Sequence, residues 1–159
     1  MRHRKPFLKM ELPSDPQLLA VVRGAVEHLT GVLGFCAPEC GAVVRAVDEA
    51  LTNIIRHAYH GRPGRPIVLS CNLVSRRSRN GHEDGLEIVL LDRGSPANRE
   101  KMRSRPLDQV RPGGLGLHFI KESMDVVEYT RSGGTNRLRL VKFLKPAEAT
   151  PGALKEKVL

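Results

Sequence analysis

The chain contains no tryptophan, and aromatic residues fill only 4% of its 159 positions. Binders of single-stranded nucleic acid stack bases on aromatic faces, so two tyrosines and four phenylalanines make that the weakest of the readings open to a basic chain. Cysteine is scarce too: Cys36, Cys40 and Cys71 are an odd count without a C-x-x-C pair. That argues against a disulfide framework or a zinc site and for reduced, partly buried thiols. No apolar run approaches the roughly 20 residues that cross a bilayer. The opening "MRHRKPFLKMELP" is basic but lacks the apolar stretch and small-residue cleavage site of a secretory signal. The expectation is a soluble, cytoplasmic protein.

Acidic residues are also in short supply, 17 against 26 lysines and arginines, which gives a formal charge of +9 and a pI near 10.0. Such a balance favours an acidic partner, whether nucleic acid, nucleotide or the acidic face of a protein, and charge does not choose among them. What the chain does have is 40% hydrophobic and 27% charged residues, values typical of a globular domain. Its length suits one domain. We expect that domain over 1–145, with a Pro- and Ala-containing tail over 146–159 that is disordered or docks elsewhere.

Leu8, Met10 and Leu12 alternate with other residues, as in a short strand with one buried face. "SDPQ" then announces a helix: Ser14 or Asp15 can cap it, Pro16 suits its first turn, and Gln17 lies at capping-box spacing from Ser14. Leu18, Val22, Ala25, Val26, Leu29 and Leu33 form its apolar stripe, and Gly34 offers a stop. A second helix is expected from about Pro38 to Tyr59, burying Val43, Val47, Leu51, Ile54, Ile55 and Ala58. "IVLSCNLVS" and "LEIVLLD" read as central strands joined by a long polar connection, "RRSRNGHEDG". Residues 93–112, charged and rich in proline, read as a loop or lid. "GGLGLHFIKESMD" opens a third helix with Leu117, Ile120 and Met124 in phase, and "VVEYT" and "RLRLVKFL" make a closing hairpin. The fold class is α+β: a two-layer α/β sandwich whose mixed, mainly antiparallel sheet carries helices on one face.

Three pieces carry chemistry. In "AVDEALTNIIRHAYHG", Glu49, Asn53 and His57 recur at every fourth residue, a spacing that drifts by only about 40° per step around an α-helix. Asparagine is a poor helix former, so one in mid-helix suggests a task for its side chain. A carboxylate one turn before a neutral oxygen could set a general base beside a Mg²⁺ ligand; a solvated helix face looks the same. In "LLDRGSP", Asp92 ends a strand and could accept a hydrogen bond from the exocyclic amine of adenine, or only cap a turn. Gly113, Gly114 and Gly116 lead into a helix whose bare N–H groups could hold phosphate, or serve a tight turn. The Gly-Lys-Ser/Thr ending of a P-loop is missing, and Phe119 takes the third glycine position of a dinucleotide fingerprint.

In order, these pieces resemble the boxes of the GHKL, or Bergerat-fold, ATPases, and among them the anti-sigma-factor serine kinases. "DEALTNIIRHAYHG" is similar to the N box, "DRGSP" to the first glycine box, "RPGGLGLHFIKESMDVVEY" to the second, and "GGTNRLRLVKF" to the closing strands. The resemblance covers about 10–145. It implies that Glu49 is the general base toward a protein serine or threonine, and that Asn53 binds the Mg²⁺ bridging the ATP phosphates. Asp92 would recognise adenine, with Gly94 admitting the ring and Thr135 supporting the contact. Gly113, Gly114, Leu115 and Gly116 would wrap the phosphates, Arg111 would reach the γ-phosphate, and His57 would orient helix or phosphates, or be a structural histidine. Pro96 replaces the second glycine of the first box and stiffens it, and Ala97 and Asn98 replace the usual Phe-Asp. The implied partners are a sigma factor and an anti-anti-sigma antagonist of STAS type. Relatives pair through the N-terminal strand and helix, so a homodimer is a candidate. The implied function is ATP- and Mg²⁺-dependent phosphorylation of the antagonist with sequestration of the sigma factor; a non-catalytic, nucleotide-gated binding module is the alternative.

Overall fold

The computed structural model describes residues 6–78, 81–97 and 116–145. The alternation in "LKMELP" becomes strand β1, Leu8–Pro13, with Leu12 turned into the core. A 3-10 turn, Pro16–Leu18, leads into helix α1, Leu19–Val32. Asp15 caps that turn by accepting the Gln17 amide at 2.9 Å. The capping box expected at Ser14 does not form, because the Ser14 hydroxyl donates to the Arg62 carbonyl at 2.6 Å and accepts the Arg65 amide at 2.9 Å. It ties the end of β1 to the approach to the second strand instead. Helix α2, Ala37–Asn53, starts at Cys36, whose amide donates to the Glu39 side chain at 3.3 Å, and carries a proline in its first turn.

Strands β2, Pro66–Ser78, and β3, Gly81–Asp92, run much further than their apolar segments. Most of the polar connection expected between them is strand, paired out to Ser78 opposite Gly81. Cross-strand polar contacts hold this extension: Arg76 bonds Glu83 at 2.7 Å, Ser75 bonds Asp84, and the Arg76 guanidinium lies 3.8 Å above the Phe143 ring. A ladder that is polar on both faces shows no hydrophobic alternation, which is why periodicity misses it. Helix α3, Gly116–Ser123, precedes strands β4, Val126–Ser132, and β5, Thr135–Phe143. Gly133 and Gly134, at φ 55° and 78°, permit the two-residue turn between them.

The five strands lie in the order β1-β2-β3-β5-β4, and all four pairings are antiparallel. Among the described residues the sheet, expected to be mixed and mainly antiparallel, has only antiparallel pairings. Register lines up Met10, Leu69, Leu90 and Leu138 in one row of the inner face and Leu8, Cys71, Ile88 and Leu140 in the next. Val22 and Val26 of α1, Val43, Val47 and Leu51 of α2, and Ile120 of α3 share one core with them. Each fully buried aliphatic side chain there stabilises the fold by about 1.5–3 kcal/mol. The three cysteines are free thiols: Cys36 exposed, Cys40 half-buried, and Cys71 in the core, where burial pushes the thiol up to about 11. Among the described residues no helix is long and apolar enough to cross a membrane.

One further row on the inner face breaks the apolar pattern. It runs Leu12, Ile67, Asp92, Asn136, Arg131 across all five strands, and it closes the sheet at the end where the candidate site lies.

Candidate functional site

Helix α2 does not continue as an α-helix to Tyr59. From Ile54 to Ala58 it widens into a π turn, with the Tyr59 amide donating to the Ile54 carbonyl at 2.9 Å. Ile54 and Ile55 are both buried, and the turn brings Tyr59 into the core beside them, with Ala58 packed partly buried against it. Tyr59 is 6% exposed, and its hydroxyl donates to the Pro66 carbonyl at 2.6 Å while accepting the Arg93 amide at 2.9 Å. Burial raises its pKa, the Arg93 amide opposing the shift. π turns inside helices concentrate at functional sites because they re-aim side chains. Here the turn also leaves the Ala58 carbonyl free to accept the Ser95 amide at 2.9 Å.

This joint fixes the segment after β3. Asp92 is 6% exposed, and its Oδ1 accepts the Gly94 amide at 2.8 Å and the Asn136 Nδ2 at 2.7 Å. Hydrogen bonds to a carboxylate contribute about 1.5–3 kcal/mol each, so the group is held firmly. Both donors that the described residues supply fall on Oδ1, and Oδ2 accepts from neither of them. A Cβ on Gly94 would stand 2.5 Å from the Ala58 carbonyl oxygen. Glycine is thus required at this position by the packing of turn on helix end. His60, the one non-glycine residue at positive φ (54°) among the described residues, completes the joint through an Nε2···Oγ contact with Ser95 at 3.0 Å.

Glu49 and Asn53 lie one turn apart on α2, both half-buried, on the stripe that the sequence predicts. A Cβ on Gly116 would come within 1.7 Å of the Glu49 Oε1. The head of α3 therefore sits directly on the Glu49 carboxylate. His57 is different: the π turn interrupts the four-residue stepping, and the imidazole is exposed rather than on the shoulder of the apolar stripe. Pro96 is exposed beside Ala97, whose amide donates to the Tyr129 hydroxyl at 3.0 Å. Thr135 pairs with Ser132 at the hairpin, and strand alternation turns it to the face opposite Asn136. The hydrogen bond to Asp92 comes from Asn136, which sequence reading passed over. The signal was present, since Asn136 is in phase with Leu138 and Leu140 on the inward side of β5. Arg111, Gly113, Gly114 and Leu115 lie outside the described residues.

Among the described residues no group of three or more His, Cys, Asp or Glu side chains could hold a metal. The neutral amide oxygen of Asn53 fits a different arrangement, in which Mg²⁺ takes one or two protein ligands and draws the rest from phosphate and water. The buried carboxylate at the sheet end and the glutamate–asparagine pair on α2 are joined through the π turn, in the order of N box and first glycine box. The family model of the histidine kinase-like ATPase domain matches residues 12–142. The chain belongs to this family. Its relatives include the serine-protein kinase RsbW of Halalkalibacterium halodurans, 30% identical over 92% of this chain and 88% of that protein. RsbW of Bacillus pumilus is 26% identical over 91% of this chain and 90% of its own length. Among solved structures, the RsbU and RsbW domains of a Mycobacterium tuberculosis protein align with a TM-score of 0.56 at 16% identity, covering 91% of this chain and 35% of that one. The SiaB–SiaC complex of Pseudomonas aeruginosa aligns at 0.53 and 15% identity, over 87% of this chain and 91% of that one. Those two likenesses support the histidine kinase-like ATPase fold seen here.

Proposed function

We propose that this ATPase-family chain is an ATP- and Mg²⁺-dependent protein serine/threonine kinase that phosphorylates an anti-anti-sigma antagonist of STAS type and sequesters a sigma factor. The observation that carries the reading is the joint between α2 and β3. Through Ser95 on Ala58 and Arg93 on Tyr59, it fixes the helix bearing Glu49 and Asn53 against the strand end bearing Asp92. Phosphoryl transfer needs mainly alignment and charge stabilisation, and a rigid joint between base-recognising and proton-accepting elements supplies the alignment. The Asp92 carboxylate accepts the adenine amine, and Gly94 lets the turn that carries it pack closely on the end of α2. Asn53 would hold Mg²⁺, which would supply charge neutralisation to the phosphates. Glu49, held against the head of α3, accepts the proton of the attacking hydroxyl. The added phosphate weakens the antagonist complex by charge and desolvation. The setting is cytoplasmic, and β1 at the sheet edge with α1 beside it is the surface for a homodimer. We read 1–145 as one ATPase domain.

Titration of Mg-ATP into wild type and Asp92→Asn by calorimetry tests the site: saturable binding is expected in the first and loss of it in the second. Single-turnover transfer of labelled phosphate from ATP to the antagonist tests the activity, with Glu49→Ala slower by about 10²–10⁴-fold at nearly unchanged nucleotide affinity. Pro96, which stiffens the loop where many GHKL members have glycine and some anti-sigma-like members also have proline, favours one rival, a nucleotide-gated binder. That rival predicts ATP binding with no label transferred.

A further inference from the structure

Asn136 is the most connected side chain at the sheet end, and its orientation can be deduced. The Ala97 amide can only donate, and it donates to the Tyr129 hydroxyl at 3.0 Å. The hydroxyl proton is then free to go on to the Asn136 Oδ1, 2.6 Å away. Arg131, which has no acceptor atom, donates to the same Oδ1 and to the Gly94 carbonyl at 2.9 Å. Two donors on one atom of the amide make it the oxygen. The NH₂ must therefore face the other way, where it donates to Asp92 Oδ1 at 2.7 Å, to the Ser95 carbonyl at 3.1 Å and to the Gly94 carbonyl at 3.4 Å. At 2% exposure, no water competes for these positions.

We propose that Asn136 is the positioning residue that sets purine choice: it holds Asp92 Oδ1 so that Oδ2 alone faces the base, fixed where it meets the amine. This rests on the nucleotide reading above. Adenine presents a donor at its 6-position where guanine presents a carbonyl. A fixed carboxylate rewards the first and repels the second. A carboxylate free to rotate discriminates less, because it can turn away from the guanine carbonyl. The chain from Ala97 through Tyr129 also ties this choice to the conformation of the first glycine box.

The test is calorimetric titration of ATP and of GTP, each with Mg²⁺, into wild type, Asn136→Ala and Asn136→Asp, with circular-dichroism melts to establish folding. Asn136→Asp keeps the volume and the acceptors for Tyr129 and Arg131 but sets a second carboxyl group against Asp92 in place of a fixed amide donor, so it decides the matter if the alanine variant does not fold. The ratio of GTP to ATP Kd is expected to fall about tenfold or more in the variants. A purely structural role would weaken both nucleotides equally. An unchanged ratio in a folded variant that still binds ATP overturns the assignment, whereas a wild type that binds neither nucleotide overturns the nucleotide reading and the assignment with it.

Discussion

Replacing Gly116 with alanine separates what the glycines of the second box do. The added methyl carbon would lie 1.7 Å from the Glu49 Oε1, 2.3 Å from its Cδ and 2.8 Å from its Cγ. All three atoms belong to the far end of a flexible side chain, so the clash is relieved by swinging Glu49 to another rotamer, at about 0.5–1.5 kcal/mol. Alanine in the first turn of α3 returns a similar amount, because glycine costs a helix about 1 kcal/mol relative to alanine. Net stability should change by less than about 1 kcal/mol. The carboxylate, however, leaves its place. If Glu49 is the general base, single-turnover phosphotransfer should fall by about 10²–10⁴-fold while the melting temperature and the ATP Kd stay close to wild type. A full-speed Gly116→Ala enzyme would refute the placement of the base. A variant slowed only in proportion to weakened ATP binding would show that the glycine serves the phosphates and not Glu49.

Gly94→Ala should behave in the opposite way, since its methyl would meet the backbone of Ala58, with the carbonyl oxygen at 2.5 Å. Backbone cannot swing aside, so a loss of about 1–3 kcal/mol in denaturant unfolding is expected together with weaker nucleotide binding; wild-type stability would count against the close approach. Alkali should loosen the fold through Cys71, whose thiol rises from its ordinary 9.0 to about 11 on burial. A group that holds its proton more tightly when folded contributes stability that is complete below the unfolded value and lost as pH rises through the folded one. Melts between pH 8 and 11 should therefore decline, and Cys71→Ala should flatten part of that slope; an identical slope in the variant would contradict it. Tyr59, whose pKa burial also raises, adds to the same decline at higher pH.

Much of the placement of the candidate site's residues was legible because its parts are local. Glu49 and Asn53 lie on one stripe of α2 as the helical repeat requires, and Asp92 ends an apolar strand whose depth follows from its composition. Gly94 follows Asp92 in the tight turn that the carboxylate itself closes, at 2.8 Å to the glycine amide. The second half of the β2–β3 hairpin was not legible, since its stabilising contacts are polar pairs between residues far apart in the turn. His57 was misplaced for a related reason: the choice of a π turn depends on where Tyr59 finds its partners, Pro66 and Arg93.

The sequence by itself determined the order of elements, the apolar stripes and the family's boxes, because periodicity, capping and glycine placement act over a few residues. Only the tertiary structure decided which side chains meet. Asn136 rather than Thr135 faces Asp92 because the register of β3 on β5 assigns inward and outward positions. Gly116 touches Glu49 because α3 packs across α2. Contacts of that kind are fixed by burying the whole inner face at once, and no short stretch of the chain contains that constraint.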